Sequence, residues 1–302
     1  MLQTLIHGVV FIVAAQFFLL SPVKSRSLNM TNLADQYPLQ LQTIFAKVPP
    51  KLNFPDDQWN VDNQQDQERM DKINAAYTEA FALAQYAIKD VLMKPLDIQH
   101  IPRLYFPPKY LKTHGMIEGV LSLFALEKGK ENYCYVFEKI NVYKGTNHPT
   151  CQLPRVAAFA RAGSGGTTDT ILTICELFFQ DVFSTSLLTK PCNQLCDEHD
   201  DTWLSLSSIL LHELTHIQEV GIKGKPKTGG IRDVEMTDYK KASADCQLNG
   251  AYGWKCCQEL NKYDEGVTHA NADSYMWMVI DQVVEGRCFN GRNREACIRH
   301  NP

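Results

Sequence analysis

The sequence predicts an α+β protein that is mainly helical and carries a small sheet in its middle third. A long segment of helical periodicity, 70–93, comes first and is ended by Pro95. Three short segments rich in β-branched and aromatic residues follow at 132–143, 155–163 and 170–179. The later apolar segments again have helical spacing, and this order of helices, strands and helices is typical of the α+β class.

The helices are predicted from the spacing of their apolar residues, which marks the face that packs on the core. In the first helix this stripe runs from Ile73 to Leu92. Further helices are expected at 108–127, 203–220, about 247–261 and about 270–284.

The first 27 residues have the composition of a secretory signal peptide. Leu5 to Leu20 is apolar apart from His7 and Gln16, and small and polar residues follow. An uncleaved N-terminal anchor is the alternative, because no Lys or Arg precedes the apolar run. No later stretch is long and apolar enough to span a bilayer, so we expect a secreted protein with no stable membrane association.

The chain beyond the signal divides into two parts. Residues 28–69 are polar and contain four prolines, which indicates an irregular lead-in or a pro-segment. Residues 70–302 form the main domain, and its motif core is 203–284. Asn29 begins an N-glycosylation sequon, which agrees with export.

Ten cysteines all follow the signal segment, and an even number in an exported chain indicates up to five disulfides. We expect the pairs Cys134–Cys151 and Cys288–Cys297, because each closes a short loop. A zinc or redox site at Cys192 and Cys196 is the alternative. It is disfavoured, because three residues separate these cysteines and no second pair matches.

The charge balance is ordinary, with 30 Lys and Arg against 34 Asp and Glu and a net charge of −4. Nucleic-acid binding requires a basic patch that this composition does not indicate. We therefore expect no nucleic-acid partner, and we expect the protein to be a monomer.

The segment His212-Glu-Leu-Thr-His216 carries the clearest chemistry. Residues four apart lie on one face of a helix, so both imidazoles can face one zinc ion. Glu213 lies close enough to accept a proton from a water activated by that zinc, which is the metalloprotease pattern. An amphipathic helix with two ordinary surface histidines is the alternative. A strand just before this helix could supply an exposed edge for an extended peptide substrate.

A catalytic zinc site needs a third protein ligand and an open fourth position. No histidine lies between His216 and His269, so a carboxylate is expected. The candidates are Asp233, Asp238, Asp245, Glu259, Glu265 and Asp273.

Four short segments occur in a fixed order: HELTH (212–216), GIRD (230–233), AYGW (251–254) and NADSY (271–275). This series resembles the fungal aspzincins, the deuterolysin and lysine-specific metalloendopeptidase group. The resemblance implies a zincin-like fold with a small sheet beside the HELTH helix, one Zn²⁺, and hydrolysis of protein or peptide substrates. A preference for basic substrates is implied by the lysine-specific members.

The resemblance also implies a role for each matched residue. His212 and His216 correspond to zinc ligands, Glu213 to the general base, Tyr252 to a phenol that helps hold the oxyanion, and Asp273 to the acidic wall of the S1′ pocket. Strict lysine specificity is not expected, because the second acid of that pocket is replaced by Met276.

The third ligand is where the chain departs from the aspzincin pattern. That family has an Asp three residues before the tyrosine, and here the position is Asn249. We therefore assign the ligand to Asp233, treat 234–249 as an insertion with its own Cys246, and keep Asp238 and Asp245 as alternatives.

Two other functions remain open at this point. One is a catalytically weakened zincin-fold protein that binds zinc or serves in adhesion. The other is a disulfide-rich extracellular structural domain without a metal.

Overall fold

The computed structural model describes residues 49–93, 100–108, 117–125, 136–162, 169–180, 183, 186–196, 203–218, 220, 231–237 and 239–289. The predicted signal peptide and Asn29 lie outside these residues. The helices and strands are α1 (Gln64–Met93), α2 (His100–Tyr105), α3 (Ile117–Ala125), β1 (Ile140–Lys144), β2 (Ala158–Ala162), β3 (Thr170–Ile174), α4 (Cys192–Cys196), α5 (Leu206–Thr215), α6 (Ala244–Asn249), α7 (Gly253–Tyr263) and α8 (Ala272–Val284). Short 3₁₀ turns lie at Pro149–Gln152, Glu176–Phe179 and Thr268–Ala270, and a π turn lies at Glu285–Phe289.

The α+β class is confirmed, with helices predominating around a three-stranded sheet. The strand order is β1-β3-β2, in which β3 is central, β1 is parallel to it and β2 is antiparallel. The strand that precedes the HELTH helix in the chain is therefore the central one. The expectation that it supplies the exposed edge is wrong, because β2 lies at that edge.

The other edge of the sheet is covered by residues 49–63. Asn53 donates to Ile140 O (3.0 Å) and accepts from Val142 N (2.8 Å), and the indole of Trp59 donates to Val142 O (2.8 Å). Trp59 is buried in the core. This part of the predicted lead-in lacks helix, as expected, but it packs as an integral piece of the domain.

Helix α1 begins at Gln64, six residues before the predicted start at 70. The Asn63 side chain accepts from Asp66 N (3.1 Å), which satisfies a free N–H of the first turn. Asp66 in turn accepts from Asn60 N (2.9 Å) and from the Lys144 ammonium (2.6 Å). The apolar stripe does not extend into this first turn, because the residues of the turn are polar. The predicted start was therefore too late.

Helix α5 carries the two histidines and is shorter than the predicted 203–220. It begins after Ser205, whose hydroxyl accepts from Ser208 N while the Ser208 hydroxyl accepts from Ser205 N. It ends at Thr215, so His216 is the C-cap residue with helical backbone angles. Leucines at 210, 211 and 214 are buried, which anchors the helix in the core.

Helix α8 is the central helix of the domain, and every residue from Ala272 to Val284 is buried. It packs against α1, α2, α5 and α7. The apolar residues from Tyr275 to Val283 are therefore core residues, as the sequence indicated.

One further predicted helix lies only partly within the described residues, and another is divided in two. The helix expected at 108–127 is described only at Ile117–Ala125. The helix expected at 247–261 is divided into α6 and α7. Gly250 (φ 75°) and Gly253 (φ 77°) adopt left-handed backbone angles at this break, which side chains with a Cβ disfavour.

Disulfides are confirmed, but both predicted pairings are wrong. The structure pairs Cys151 with Cys175, Cys192 with Cys288, and Cys246 with Cys256. Cys151 lies after β1 and Cys175 directly follows β3, so the sheet brings together residues that are 24 apart in sequence. The Cys192 pairing also removes the alternative metal or redox site. Within the described residues, no helix combines the length and hydrophobicity needed to cross a bilayer.

Candidate metal centre

The HELTH segment turns both imidazoles toward one point. The Nε2 atoms of His212 and His216 are 3.2 Å apart, and the ring planes are nearly perpendicular. The four-residue spacing along one helical turn produces this approach.

Asp233 completes a group of three ligand atoms. Its Oδ1 lies 3.1 Å from His212 Nε2 and 3.4 Å from His216 Nε2. Ligands about 2.0–2.1 Å from a tetrahedral zinc ion stand about 3.3–3.4 Å from one another. The three atoms are thus spaced as such an ion requires, and the structure brings Asp233 together with the two histidines.

Both histidines have an acceptor at the ring nitrogen that faces away from this point. His212 Nδ1 lies 2.5 Å from Asp273 Oδ1, and His216 Nδ1 lies 3.1 Å from the carbonyl oxygen of Ile231. An acceptor at Nδ1 favours the tautomer with its proton there. With the proton at Nδ1, each Nε2 atom can offer a lone pair to a metal ion bound at the shared point.

The position of Asp273 corrects the expectation that it forms a pocket wall. The residue is only 5% exposed, and its second oxygen accepts from Gly253 N at 2.6 Å. A carboxylate whose two oxygens are both engaged inside the protein offers no surface to a substrate side chain. Asp273 instead orients His212 and ties it to the start of α7.

Asp233 is held in place by backbone contacts on either side. Arg232 donates to Ala270 O (2.7 Å) and accepts from Ala272 N (3.0 Å), and Val234 N donates to the Asn271 side chain (3.2 Å). The ligand segment is thereby fixed to the N-terminal end of α8. Of the alternative ligands, Asp245 lies exposed on α6, and Asp238 falls outside the described residues.

Glu213 lies beside the three ligand atoms without joining them. Its Oε1 is 4.0 Å from His212 Nε2, and its Oε2 accepts the backbone N–H of Ala160 in β2 at 2.8 Å. Burial raises the pKa of this carboxyl, while the two histidines and the Ala160 N–H oppose that shift. The side chain is therefore held next to the site by the edge strand, with its pKa above the usual glutamate range.

Tyr252 lies over His212 at the mouth of the site. The two rings are stacked with centroids 6.0 Å apart, and the tyrosine is 46% exposed. Burial of the phenol and the neighbouring Asp233 raise its pKa. The hydroxyl therefore keeps its proton at neutral pH and can donate a hydrogen bond.

The charges of the group reinforce one another. Burial opposes the charged form of His212, yet Asp273 and Asp233 raise its pKa well above the usual histidine range. Burial would raise the pKa of Asp233, but the two histidines hold it well below the usual range. The carboxylate of Asp233 is thus ionised and directed at the point where a cation would bind.

Two contributors to this site are not predictable from the sequence. Ala160 acts through its backbone N–H, which leaves no signal in the residue type. Asn271 belongs to the NADSY segment, but its contacts depend on the folded arrangement of three separate segments.

No protein-family model matches the chain, and no curated protein is significantly similar to it. The class of the site is therefore defined by its geometry, as a His-His-Asp group that could hold a metal ion, with His212 buried and Asp233 exposed.

Proposed function

We propose that the protein is a secreted zinc-dependent metalloendopeptidase of the zincin type, similar to the aspzincins. The observation that carries this proposal is the placement of Glu213. It lies beside the His212, His216 and Asp233 atoms and is hydrogen-bonded to the edge strand of the sheet.

The donor set favours zinc in a catalytic rather than a structural role. Two imidazole nitrogens and one carboxylate oxygen suit zinc, and three protein ligands leave one position open. The Asp233 side chain is 39% exposed, so this side of the group reaches solvent. Bound zinc would supply Lewis-acid chemistry, polarising a peptide carbonyl and lowering the pKa of water.

The remaining work falls to side chains of the protein. Glu213 would accept a proton from the attacking water and deliver it to the leaving amine, since its Oε1 faces the ligand group. The Tyr252 hydroxyl would donate a hydrogen bond to the oxygen that becomes negative in the transition state.

The edge strand β2 would align an extended peptide. Cys175 N donates to Ala157 O, so alternation along the antiparallel pair turns the N–H groups of Ala158 and Ala160 away from β3. Ala160 N–H holds Glu213, and the neighbouring outward groups are suitably placed for strand addition. The substrate is then a protein or peptide in extended conformation.

Secretion is supported by the disulfides. Three described pairs require an oxidising compartment, which agrees with the signal-like first 27 residues.

The test compares Glu213→Gln with the wild-type protein. Zinc content after dialysis and cleavage of a basic protein such as protamine are measured on both. We expect about one zinc per chain in each and a loss of activity of about 10²–10⁴-fold in the variant, the range for general acid–base groups. Glu235→Gln, which removes an exposed carboxylate two residues from Asp233, is the matched control and should leave activity unchanged.

The two alternative functions give different results in this experiment. A zinc-binding or adhesion protein would hold zinc in both forms and cleave nothing. A structural domain would hold no stoichiometric zinc. Equal cleavage by the wild type and Glu213→Gln would rule out the proposed mechanism.

A further inference from the structure

We propose that the Asn271 side chain is a positioning group. It holds two residues in place at the site: Asp233, the third metal ligand, and Tyr252, the phenol. The inference rests on the proposed metal site and identifies a residue that contacts neither metal nor substrate. Asn271 lies between the two segments and is 1% exposed.

The amide of Asn271 has partners on both sides. Its Oδ1 accepts from Val234 N (3.2 Å), and its Nδ2 lies within hydrogen-bond distance of Ala251 O (3.2 Å) and Ser274 Oγ (3.0 Å). Nδ2 also approaches the Cys257 sulfur at 3.5 Å. The orientation of the amide is fixed by chemistry, because the Val234 N–H can only donate and the Ala251 carbonyl can only accept.

These contacts close a ring of three segments. Ala251 N donates to Val234 O at 2.8 Å, so Val234, Ala251 and Asn271 are mutually bonded. Asp233 precedes Val234, and Tyr252 follows Ala251. The Asn271 side chain is therefore bonded to the neighbours of both Asp233 and Tyr252, and its position determines where these two residues enter the site.

The role of Asn271 is separable from the rest of the anchoring. On the other side of Asp233, Arg232 is bonded to Ala270 and Ala272 through backbone atoms alone, and these bonds do not require an amide at 271. Replacing Asn271 would thus leave Val234 attached only through its bond to Ala251 N, while the Arg232 side of Asp233 keeps both of its bonds. The expected result is a misplaced ligand rather than an unfolded protein.

A purely structural role makes a different prediction. Leucine at 271 would fill a similar volume but leave Val234 N–H and the Ala251 carbonyl without their present partner, which destabilises a buried site. If Asn271 acted only through the stability of the fold, another substitution that lowers stability by the same amount would weaken zinc binding by the same factor. Tyr105→Phe provides this comparison, because it removes a buried hydrogen bond to Asp281 on the same helix, eight residues beyond Asp273.

The experiment measures the zinc dissociation constant by chelator competition for the wild type, Asn271→Leu, Ser274→Ala and Tyr105→Phe, with Tm recorded for each. We expect Asn271→Leu to raise the dissociation constant about 10–100-fold, as loss of an outer-shell partner does. Ser274→Ala keeps the Val234 and Ala251 bonds, so its zinc affinity should equal that of the wild type. Tyr105→Phe should lower Tm without changing zinc affinity.

Amide hydrogen exchange, measured on the metal-free wild-type protein, gives a second readout that requires no variant. The amides of Val234 and Ala251 should exchange slowly, because both are bonded inside the ring. Fast exchange at either position would overturn the inference even if Asn271→Leu failed to fold.

The outcomes separate the two proposals. A wild type that binds no zinc removes the proposed function, whereas slow exchange at Val234 and Ala251 would still leave the ring intact. A wild type that binds zinc together with an Asn271→Leu variant of equal affinity overturns the role of Asn271 alone. Equal weakening by Asn271→Leu and Tyr105→Phe would reduce Asn271 to a stabilising residue and also overturn the inference.

Discussion

Ala160 donates its backbone N–H to Glu213 Oε2 across 2.8 Å, and this bond joins the edge strand to the helix that carries the histidines. The donor faces away from β3, so it takes no part in the sheet ladder. The carboxyl group is thereby kept beside the candidate metal ligands with one oxygen toward them. The same strand that would align a substrate also orients the base that would act on it.

Replacing Ala160 with proline tests this relationship. Proline removes the N–H that holds Glu213 and is tolerated at an edge strand because no ladder bond is lost. We expect kcat/KM to fall about 10²-fold, the size of effect that follows from misplacing a catalytic group. The pKa of Glu213, already raised by burial, should rise further without this donor, so the acidic limb of the pH–rate profile should move to higher pH.

Ala158→Pro is the matched control, because its N–H also faces away from β3 by the same alternation. It should leave the acidic limb where it lies in the wild type. Unchanged zinc content in both variants would show that the metal ligands are intact. A profile for Ala160→Pro that superimposes on the wild type would argue against the role of the edge strand.

Asp273→Asn should weaken metal binding through His212. The asparagine can still accept from Gly253 N, but it cannot supply the negative charge at His212 Nδ1. We expect the zinc dissociation constant to increase about 10–100-fold, the usual consequence of losing an outer-shell carboxylate. Chelator competition measures this constant. An unchanged constant would show that the Asp273 contact does not tune the ligand.

The two histidines of the candidate site were predictable because their arrangement is local. Two histidines four residues apart face the same side in any helix, so His212 and His216 needed no tertiary information. Predicting Asp233 as a ligand required the resemblance to the aspzincins and the rejection of Asn249. A ligand that is distant in sequence cannot be placed by periodicity.

The roles of Asp273 and Asn271 could not be derived from the sequence in the same way. Each depends on which segments the buried helix α8 meets at its N-terminal end. The sequence showed two polar residues at a helix start, which is also the pattern of an ordinary cap. The predicted disulfide pairings were wrong for a related reason. A short separation along the chain does not measure the distance between two cysteines in the fold.

Removing the Cys246–Cys256 disulfide should affect both stability and metal binding. The bond closes a short loop of separation 10 and staples a small cluster that contains Val234, next to Asp233. In the chain-entropy model such a loop contributes about 2–3 kcal/mol to the free energy of unfolding. Replacing both cysteines with serine should lower Tm and raise the zinc dissociation constant.

The Cys192–Cys288 pair provides the comparison for this effect, because it joins α4 to the segment after α8. Replacing that pair should lower Tm without changing zinc affinity. Equal changes in zinc affinity for both double variants would contradict a specific link between the Cys246 cluster and Asp233.

The carboxylate of Asp66 should make stability depend on pH. The Lys144 ammonium bonded to it holds the pKa of Asp66 below its usual range, despite partial burial, and Asn60 N adds a second bond. A group with a lowered folded pKa stabilises the protein above its unfolded pKa of about 3.9, and this contribution is lost as the pH falls through the folded value. Asp66→Asn should therefore cost about 2 kcal/mol near pH 7, the scale of a charged hydrogen bond, and progressively less below pH 4.

Denaturant unfolding of both proteins between pH 7 and 3 measures this difference, with Asp71→Asn, an exposed acid on the same helix, as the control. A difference that stays constant over this range would mean that the Asp66 charge does not contribute, and that only its shape is needed at the start of α1.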